Sequence, residues 1–71
     1  MVLVRSVQIR GDDIRLGQFL KLADLVDSGS DVRPLVAAGE VSVNGTTETR
    51  RGRRLARGDV VALGGDEVRV G

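Results

Sequence analysis

The residues best suited to chemistry in this sequence are five arginines that lie close together. Arg50, Arg51, Arg53, Arg54 and Arg57 fall within eight residues, and no acidic residue interrupts them. Guanidinium groups form charge-assisted and often bidentate hydrogen bonds with phosphate or carboxylate oxygens. The spacing therefore predicts a region of high positive potential that suits a polyanion, although a solvated basic loop would have the same composition.

Residues suited to catalysis or metal binding are scarce. The chain has no histidine and no cysteine, which excludes thiol chemistry, disulfides, the usual zinc sites and histidine-based triads. The neighbouring acids Asp12 and Asp13, like Asp66 and Glu67, fall in predicted turns, where such residues usually bond the backbone. Ser28 has no histidine to activate it, so we expect it to cap a helix. We expect no catalytic residue, no cofactor and no metal ion.

The aromatic content argues against one mode of nucleic-acid binding. Phe19 is the sole aromatic residue, and it lies on the predicted apolar face of a helix. Proteins that bind single strands usually stack bases on exposed aromatic rings. A nucleic-acid partner would therefore be held through phosphate and sugar and recognised by shape, as in a duplex or hairpin.

The chain is short and of mixed composition. Its 71 residues are 41% hydrophobic and 30% charged, which suits a single small domain over residues 1–71. No apolar run approaches the roughly 20 residues that a membrane span needs, and no signal peptide is visible. We expect a monomeric cytoplasmic protein that makes no membrane contact.

Two helices are predicted in the first half of the chain. Leu16, Phe19, Leu20 and Ala23 follow helical spacing and place one apolar stripe on a helix that ends near Val26.

A second, short helix is predicted to end at about Ala38, where Gly39 suits a left-handed terminus. Ser28 resembles the capping residue at its start. Pro34 is tolerated only in a first turn, so the helix either begins nearer Asp31 or is kinked.

A β-hairpin is the strongest local signal in the sequence. Asn44-Gly45 joins two β-prone runs, residues 41–43 and 46–49, and suits a type I′ turn. Residues 50–58 are polar and rich in glycine, so we expect an irregular loop that Leu55 anchors. Further strands are predicted at residues 2–9, 60–63 and 67–70. The sum is a small α+β domain.

Several segments resemble a known family. They are RLGQFLK at residues 15–21, SGSDVRPLV at 28–36, GEVSVNG at 39–45, RGRRL at 51–55 and GDVV at 58–61. Together they resemble the RNA-binding domain first recognised in small-subunit ribosomal protein four. The likeness is greatest to small stand-alone bacterial proteins of this type, and it runs from about residue 7 to residue 70.

The resemblance implies a fold and a partner. The fold would be two short helices packed on a small twisted, mainly antiparallel sheet, of the alpha-L RNA-binding type. One basic face would hold structured RNA, commonly ribosomal or transfer RNA, without catalysis. The resemblance also implies a role in ribosome assembly, translation or ribosome rescue, with the ribosome itself as a partner.

The resemblance also points to the residues that would contact RNA. In this sequence they are Arg15, Lys21, Arg33, Arg50, Arg51, Arg53 and Arg54. Arg15 opens the first helix, Arg33 belongs to the second, and Lys21 is an addition to the matched positions. Pro34 departs from the family pattern, which puts the placement of Arg33 in question.

Two alternatives remain open at the level of sequence. Small β-grasp sulfur carriers have a similar length and a late Gly-Asp, but they end in a flexible diglycine, whereas Val70 precedes Gly71 here. A protein-interaction module is the other alternative, because arginine pairs with carboxylate as readily as with phosphate.

Overall fold

In residues 4–71, the part of the chain that the computed structural model describes, seven strands and two helices follow one another. The elements are β1 (Arg5–Val7), β2 (Asp13–Arg15), α1 (Leu16–Leu22), α2 (Arg33–Ala37), β3 (Val41–Val43), β4 (Thr46–Thr47), β5 (Arg54–Ala56), β6 (Val60–Leu63) and β7 (Asp66–Val70). The first predicted strand covered residues 2–9, of which residues 2 and 3 lie outside the described part. The expected α+β fold is confirmed.

Five of the strands form one mixed sheet in the order β1-β7-β6-β3-β4. β1 and β7 are parallel, whereas the other neighbours are antiparallel, as expected for a mainly antiparallel sheet. The predicted hairpin connects β3 to β4, with φ of 53° at Asn44 and 83° at Gly45. These two positive angles are those that a type I′ turn requires, which is why the Asn-Gly pair was diagnostic.

The core lies between the helices and this sheet. Leu16, Phe19, Leu20 and Ala23 are all almost completely buried, which confirms the apolar stripe predicted for α1. The inward positions of the sheet supply most of the remaining core, and these are Val41, Val43, Val61, Val68 and Val70. Alternation along the strands places their neighbours at the surface.

α1 is shorter than predicted. It ends at Leu22, four residues before Val26, and Asp24 adopts a left-handed φ of 61°. Aspartate tolerates this conformation because its short polar side chain can bond locally. The amides of Leu25 and Val26 then both donate to the carbonyl of Leu20, at 3.0 and 3.3 Å. The chain turns at this point, and both side chains still pack against the core.

α2 begins at Arg33, so Pro34 lies in its first turn, where the missing amide proton costs nothing. The predicted cap was wrong, because Ser28 lies outside the helix. Instead, the Asp31 carboxylate accepts the backbone N–H of Arg33 at 3.0 Å. Gly39 follows the helix with a φ of 78°, as predicted.

The prediction that residues 50–58 are irregular is wrong for Arg54–Ala56. These residues form β5, which pairs antiparallel with β2 and brings Ile14 opposite Leu55. The same pairing places Asp13, predicted to lie in a turn, at the start of a strand. Leu55 is fully buried, so its predicted role as an anchor is confirmed.

A side-chain contact ties the hairpin turn to the start of β6. The amide nitrogen of Asn44 donates to the carboxylate of Asp59 at 3.0 Å, and its oxygen accepts the N–H of Val60 at 2.9 Å. The backbone N–H of Ala56 also donates to Asp59, at 2.9 Å, and is the main reason that its pKa is lowered. Asp59 therefore connects the β3–β4 turn to β5, next to the start of β6.

We expect Leu55→Ala to lower the free energy of unfolding by about 3 kcal/mol, since it empties a fully buried site. Leu22→Ala removes the same atoms from a side chain that is 51% exposed and should cost less than about 0.5 kcal/mol. Urea denaturation followed by circular dichroism measures both variants. Equal losses would contradict the assignment of Leu55 as the anchor of β5.

Candidate nucleic-acid interface

The arginine loop, defined here as residues 50–53, is bonded to the first turn of α1. The N–H of Leu16 donates to the carbonyl of Arg53 at 2.8 Å, and the N–H of Gly17 donates to that of Arg51 at 2.9 Å. Amides in a first helical turn have no partner within the helix, and α1 has no side-chain cap. The loop carbonyls satisfy them and hold the loop against the helix.

Glycine at position 17 allows a close approach of α1 to Val32. A Cβ added there would lie 3.2 Å from the Cγ2 of Val32, so that the Val32 side chain would have to shift by a few tenths of an ångström. It would lie 3.6 Å from the carbonyl oxygen of Arg51, which is ordinary van der Waals contact. A glycine inside a helix lowers helix stability by roughly 1 kcal/mol relative to alanine.

Between α1 and the arginine loop runs a surface groove of about 380 Å³, called the cationic groove below. Its lining is Arg15, Gly17, Gln18, Lys21, Val32, Arg51 and Gly52. Arg15 is held in place because its Nη1 donates to the carbonyl of Gly52 at 2.8 Å. The groove thus brings together three of the seven predicted residues, two of them from the ends of α1 and one from the arginine loop.

The three cations of the groove are not neutralised. Within residues 4–71, Arg15, Lys21 and Arg51 form no ion pair with a carboxylate. All three side chains are exposed. They therefore retain most of their N–H donors for a ligand, and their charges add within one concave surface, where the potential is highest.

The other four predicted residues are each engaged with an acid. Arg33 forms a bidentate pair with Asp31, and Arg54 lies 3.2 Å from a carboxylate oxygen of Asp13. Arg50 and Arg53 share Glu48, each at 3.0 Å. Arg57 is similarly placed, since it lies 3.6 Å from Asp12 and donates to the carbonyl of Ile9 at 3.2 Å. Only the cationic groove gathers unpaired members of the predicted set.

Glu48 is the functional residue that sequence reasoning missed. Among the charged residues of the described chain, Glu48 alone is buried, with an exposure of 6%. Its carboxylate accepts three hydrogen bonds, one from the backbone N–H of Arg50 and two from the side chains of Arg50 and Arg53. Hydrogen bonds from Arg50, then from Arg53, lower the pKa of Glu48 to about 2. The carboxylate therefore stays ionised and fixes both ends of the arginine loop.

Arg33 is placed at the surface despite Pro34. It occupies the first position of α2 and points its guanidinium at Asp31, which lowers the pKa of Asp31 to about 2. Val32, the residue before Arg33, lines the cationic groove, and the charge of Arg51 also contributes to lowering the pKa of Asp31. Arg33 is thus near the groove but partly neutralised.

The described residues contain no group of three or more acidic side chains that could hold a metal ion. Nor does any helix in residues 4–71 have the length and apolar character that crossing a membrane requires. The cationic groove can bind an anion through charge-assisted hydrogen bonds, because its lining residues include three cations and no acid.

The structure defines a small α+β domain that presents a cationic groove between a helix and a loop. The chain belongs to the S4 domain family, whose model matches residues 7–71. Its curated relatives include the "Probable ribosome maturation protein RlbA" of Bacillus subtilis (strain 168), which is 43% identical over 63 residues and is matched over 89% of each chain.

A second relative is the "Putative RNA-binding protein YbcJ" of Escherichia coli (strain K12). It is 33% identical over 57 residues, which are 80% of this chain and 81% of the relative. The solution structure of YbcJ, described as revealing an alfaL motif involved in RNA-binding, matches with a TM-score of 0.71 at 28% identity. The match covers 99% of this chain and 90% of that one. These matches confirm the resemblance seen in the sequence.

The sulfur-carrier alternative finds no support in the comparisons, since the family model that matches residues 7–71 is that of the S4 domain. Gly71 donates its N–H to the carbonyl of Val7 at 2.8 Å and accepts the N–H of Ile9 at 3.3 Å, so it continues the pairing of β7 with β1.

We expect Glu48→Gln to flatten the pH dependence of stability between about pH 4.5 and pH 2. Because the folded-state pKa of about 2 lies below the ordinary value of 4.5, Glu48 stabilises the fold fully above pH 4.5. This contribution is lost as the pH falls towards 2. Urea denaturation at successive pH values should therefore show a steeper decline for the wild type than for the variant.

Glu40→Gln is the matched control for that experiment, since it removes an exposed carboxylate that forms no ion pair within the described chain. Asp31 and Asp59 also have lowered pKa values, so every variant should lose some stability in acid. Parallel curves for the wild type and Glu48→Gln would show that the buried carboxylate does not clamp the arginine loop.

Proposed function

We propose that residues 1–71 act as a single RNA-binding domain that docks on structured RNA through the cationic groove and does no chemistry on it. The observation that carries this proposal is the convergence of Arg15, Lys21 and Arg51 on one groove without a neutralising acid. Membership of the S4 domain family and the RNA-binding description of YbcJ support it.

Phosphate oxygens are the groups that this groove suits. Arginine and lysine hydrogen-bond phosphates in any sequence, so these contacts set affinity and orientation and do not read bases. Phe19, the only aromatic side chain, is fully buried and gives no platform on which a single strand could stack. A folded RNA, whose backbone holds several phosphates at fixed spacing, is therefore the preferred ligand.

The ion-paired arginines have a second role in this proposal. Arg50 and Arg54 keep 78% and 64% of their side-chain surface exposed, and each uses its Nε atom on a carboxylate. The remaining donors of both side chains form no hydrogen bond within the described chain and are available to phosphates. Arg33 gives two donors to Asp31, and Arg53 is only 32% exposed and is held by Glu48, so we assign these two smaller contributions.

Ribosomal or transfer RNA is the proposed class of ligand, bound by a monomer in the cytoplasm. The Bacillus subtilis relative is named as a probable ribosome maturation protein, which favours ribosome assembly over translation or rescue. Sedimentation of cell extracts tests this point. The protein should travel with ribosomal particles at low salt and leave them at high salt, because phosphate contacts weaken as salt rises.

The function is tested by titrating an RNA hairpin, the matching DNA hairpin and a single strand at several salt concentrations. We expect the RNA hairpin to bind most tightly, with log affinity falling against log salt at a slope of about −3 for the three groove cations, and of about −4.5 where Arg50 and Arg54 also contact phosphate. The Lys21→Gln/Arg51→Gln variant should lose about two units of that slope and at least about tenfold in affinity. Neither side chain has a hydrogen-bonded partner in the described chain, so the fold should be retained.

Arg69→Gln is the matched control for Arg51→Gln, because both variants remove one positive charge and only Arg51 lines the cationic groove. Arg69 is an exposed arginine of β7 that does not line the cationic groove. If both single variants weaken binding equally, general charge and not the groove is responsible. Absence of binding to any nucleic acid at low salt would refute the function and favour an acidic protein partner.

A further inference from the structure

A second groove adjoins the cationic groove along α1. It measures about 470 Å³ and is lined by Gln8, Arg10, Asp13, Ile14, Gln18 and Leu22. The two grooves share Gln18, and two pairs of consecutive residues are divided between them. Arg15 lines the cationic groove while Ile14 lines the second, and Lys21 lines the first while Leu22 lines the second.

Gln18 and Leu22 lie four positions apart in α1, so their side chains are neighbours on one face of the helix. Gln18 lines both grooves and marks the place where they adjoin. A ligand held in one groove can reach the other by passing this side chain.

The second groove is less suited to phosphate than the cationic groove. It is lined by one cation, Arg10, and one anion, Asp13. The Asp13 carboxylate, which also pairs with Arg54 at 3.2 Å, would repel a phosphate that entered the groove. An uncharged group meets no such repulsion, so we take the ligand of this groove to be uncharged.

The remaining lining residues match a flat group with a polar edge. The amides of Gln8 and Gln18 each carry two donors and an acceptor. Leu22 is the most exposed large hydrophobic residue of the described chain, at 51%. Ile14, which also lines the groove, is half-buried. A nucleobase has apolar faces and a hydrogen-bonding edge, and glutamine is among the side chains that bond base edges.

We propose that the second groove receives the base of one unpaired nucleotide, from a bulge or loop, whose phosphate lies in the cationic groove. This inference rests on the proposed RNA binding and adds a requirement to it. Leu22 and the flat guanidinium group of Arg10 take the place that aromatic rings have in other RNA-binding proteins. Only one base is held, so phosphate contacts still supply most of the affinity.

The proposal explains how a chain without exposed aromatic residues selects among folded RNAs. A fully paired stem offers phosphates but no free base, so it can occupy the cationic groove alone. A stem interrupted by an unpaired nucleotide can occupy both. The preferred ligand is therefore a helix that carries one extruded nucleotide.

The test compares two RNA hairpins that differ in one chemical group. Both carry a single-nucleotide bulge in the stem, but in one of them the bulged residue is abasic, so that the backbone and the flexibility of the stem are matched. We expect the wild type to bind the hairpin with the intact base about tenfold more tightly. The Gln8→Ala/Leu22→Ala variant should bind both hairpins with the affinity that the wild type has for the abasic one.

A fluorescent base reports occupancy directly. With 2-aminopurine at the bulge, the wild type should change the emission on binding and the Gln8→Ala/Leu22→Ala variant should not. Both substituted side chains are exposed, and urea denaturation confirms that the variant is folded.

The outcomes separate this proposal from the proposed function. Lys21→Gln/Arg51→Gln should weaken both hairpins by the same factor, because it acts on phosphate. If the wild type binds both hairpins tightly and equally, the second groove does not hold a base, and a protein contact through Leu22 becomes the better assignment. If neither hairpin binds, the RNA-binding function fails, and this inference fails with it.

Discussion

The fold depends on the hydrogen bonds between the arginine loop and the first turn of α1. The amides of Leu16 and Gly17 would otherwise be unpaired at a helix start, and the carbonyls of Arg53 and Arg51 satisfy them at 2.8 and 2.9 Å. The β2–β5 pairing runs into these bonds, and buried Leu55 holds that pairing to the core. One continuous contact thus anchors a polar loop and forms the floor of the cationic groove.

The acids of the chain decide which arginines are left for a ligand. Glu48 is enclosed by Arg50 and Arg53, and its lowered pKa keeps it charged, so those two side chains act as clamps on the loop. Asp13 and Asp31 engage two more arginines at exposed sites, where an ion pair adds little stability. Their main effect is on charge, because they neutralise Arg54 and Arg33 and leave the groove cations without a carboxylate partner in the described chain.

Local patterns predicted most of the fold but could not separate paired arginines from unpaired ones. The α1 stripe and the Asn44-Gly45 turn were found because their signals lie within a few residues. β5 was missed because only one of its three residues, Leu55, is large and apolar. In addition, the strand with which it pairs, β2, lies far earlier in the chain. The ion pair of Arg54 with Asp13 was missed for the same reason, because it joins β5 to the distant β2. Glu48 was detectable in principle, as the acid two positions before the first arginine of the run.

A net charge of +1 is compatible with binding a polyanion because of the distances involved. The domain measures 30 × 26 × 21 Å, whereas charges in physiological salt are largely screened beyond about 8 Å. A phosphate in the cationic groove therefore experiences Arg15, Lys21 and Arg51 and little of the acids on remote surfaces. The net charge describes the behaviour of the whole chain in solution. Recognition depends on charge within one screening length, and the contact of the arginine loop with α1 concentrates positive charge there.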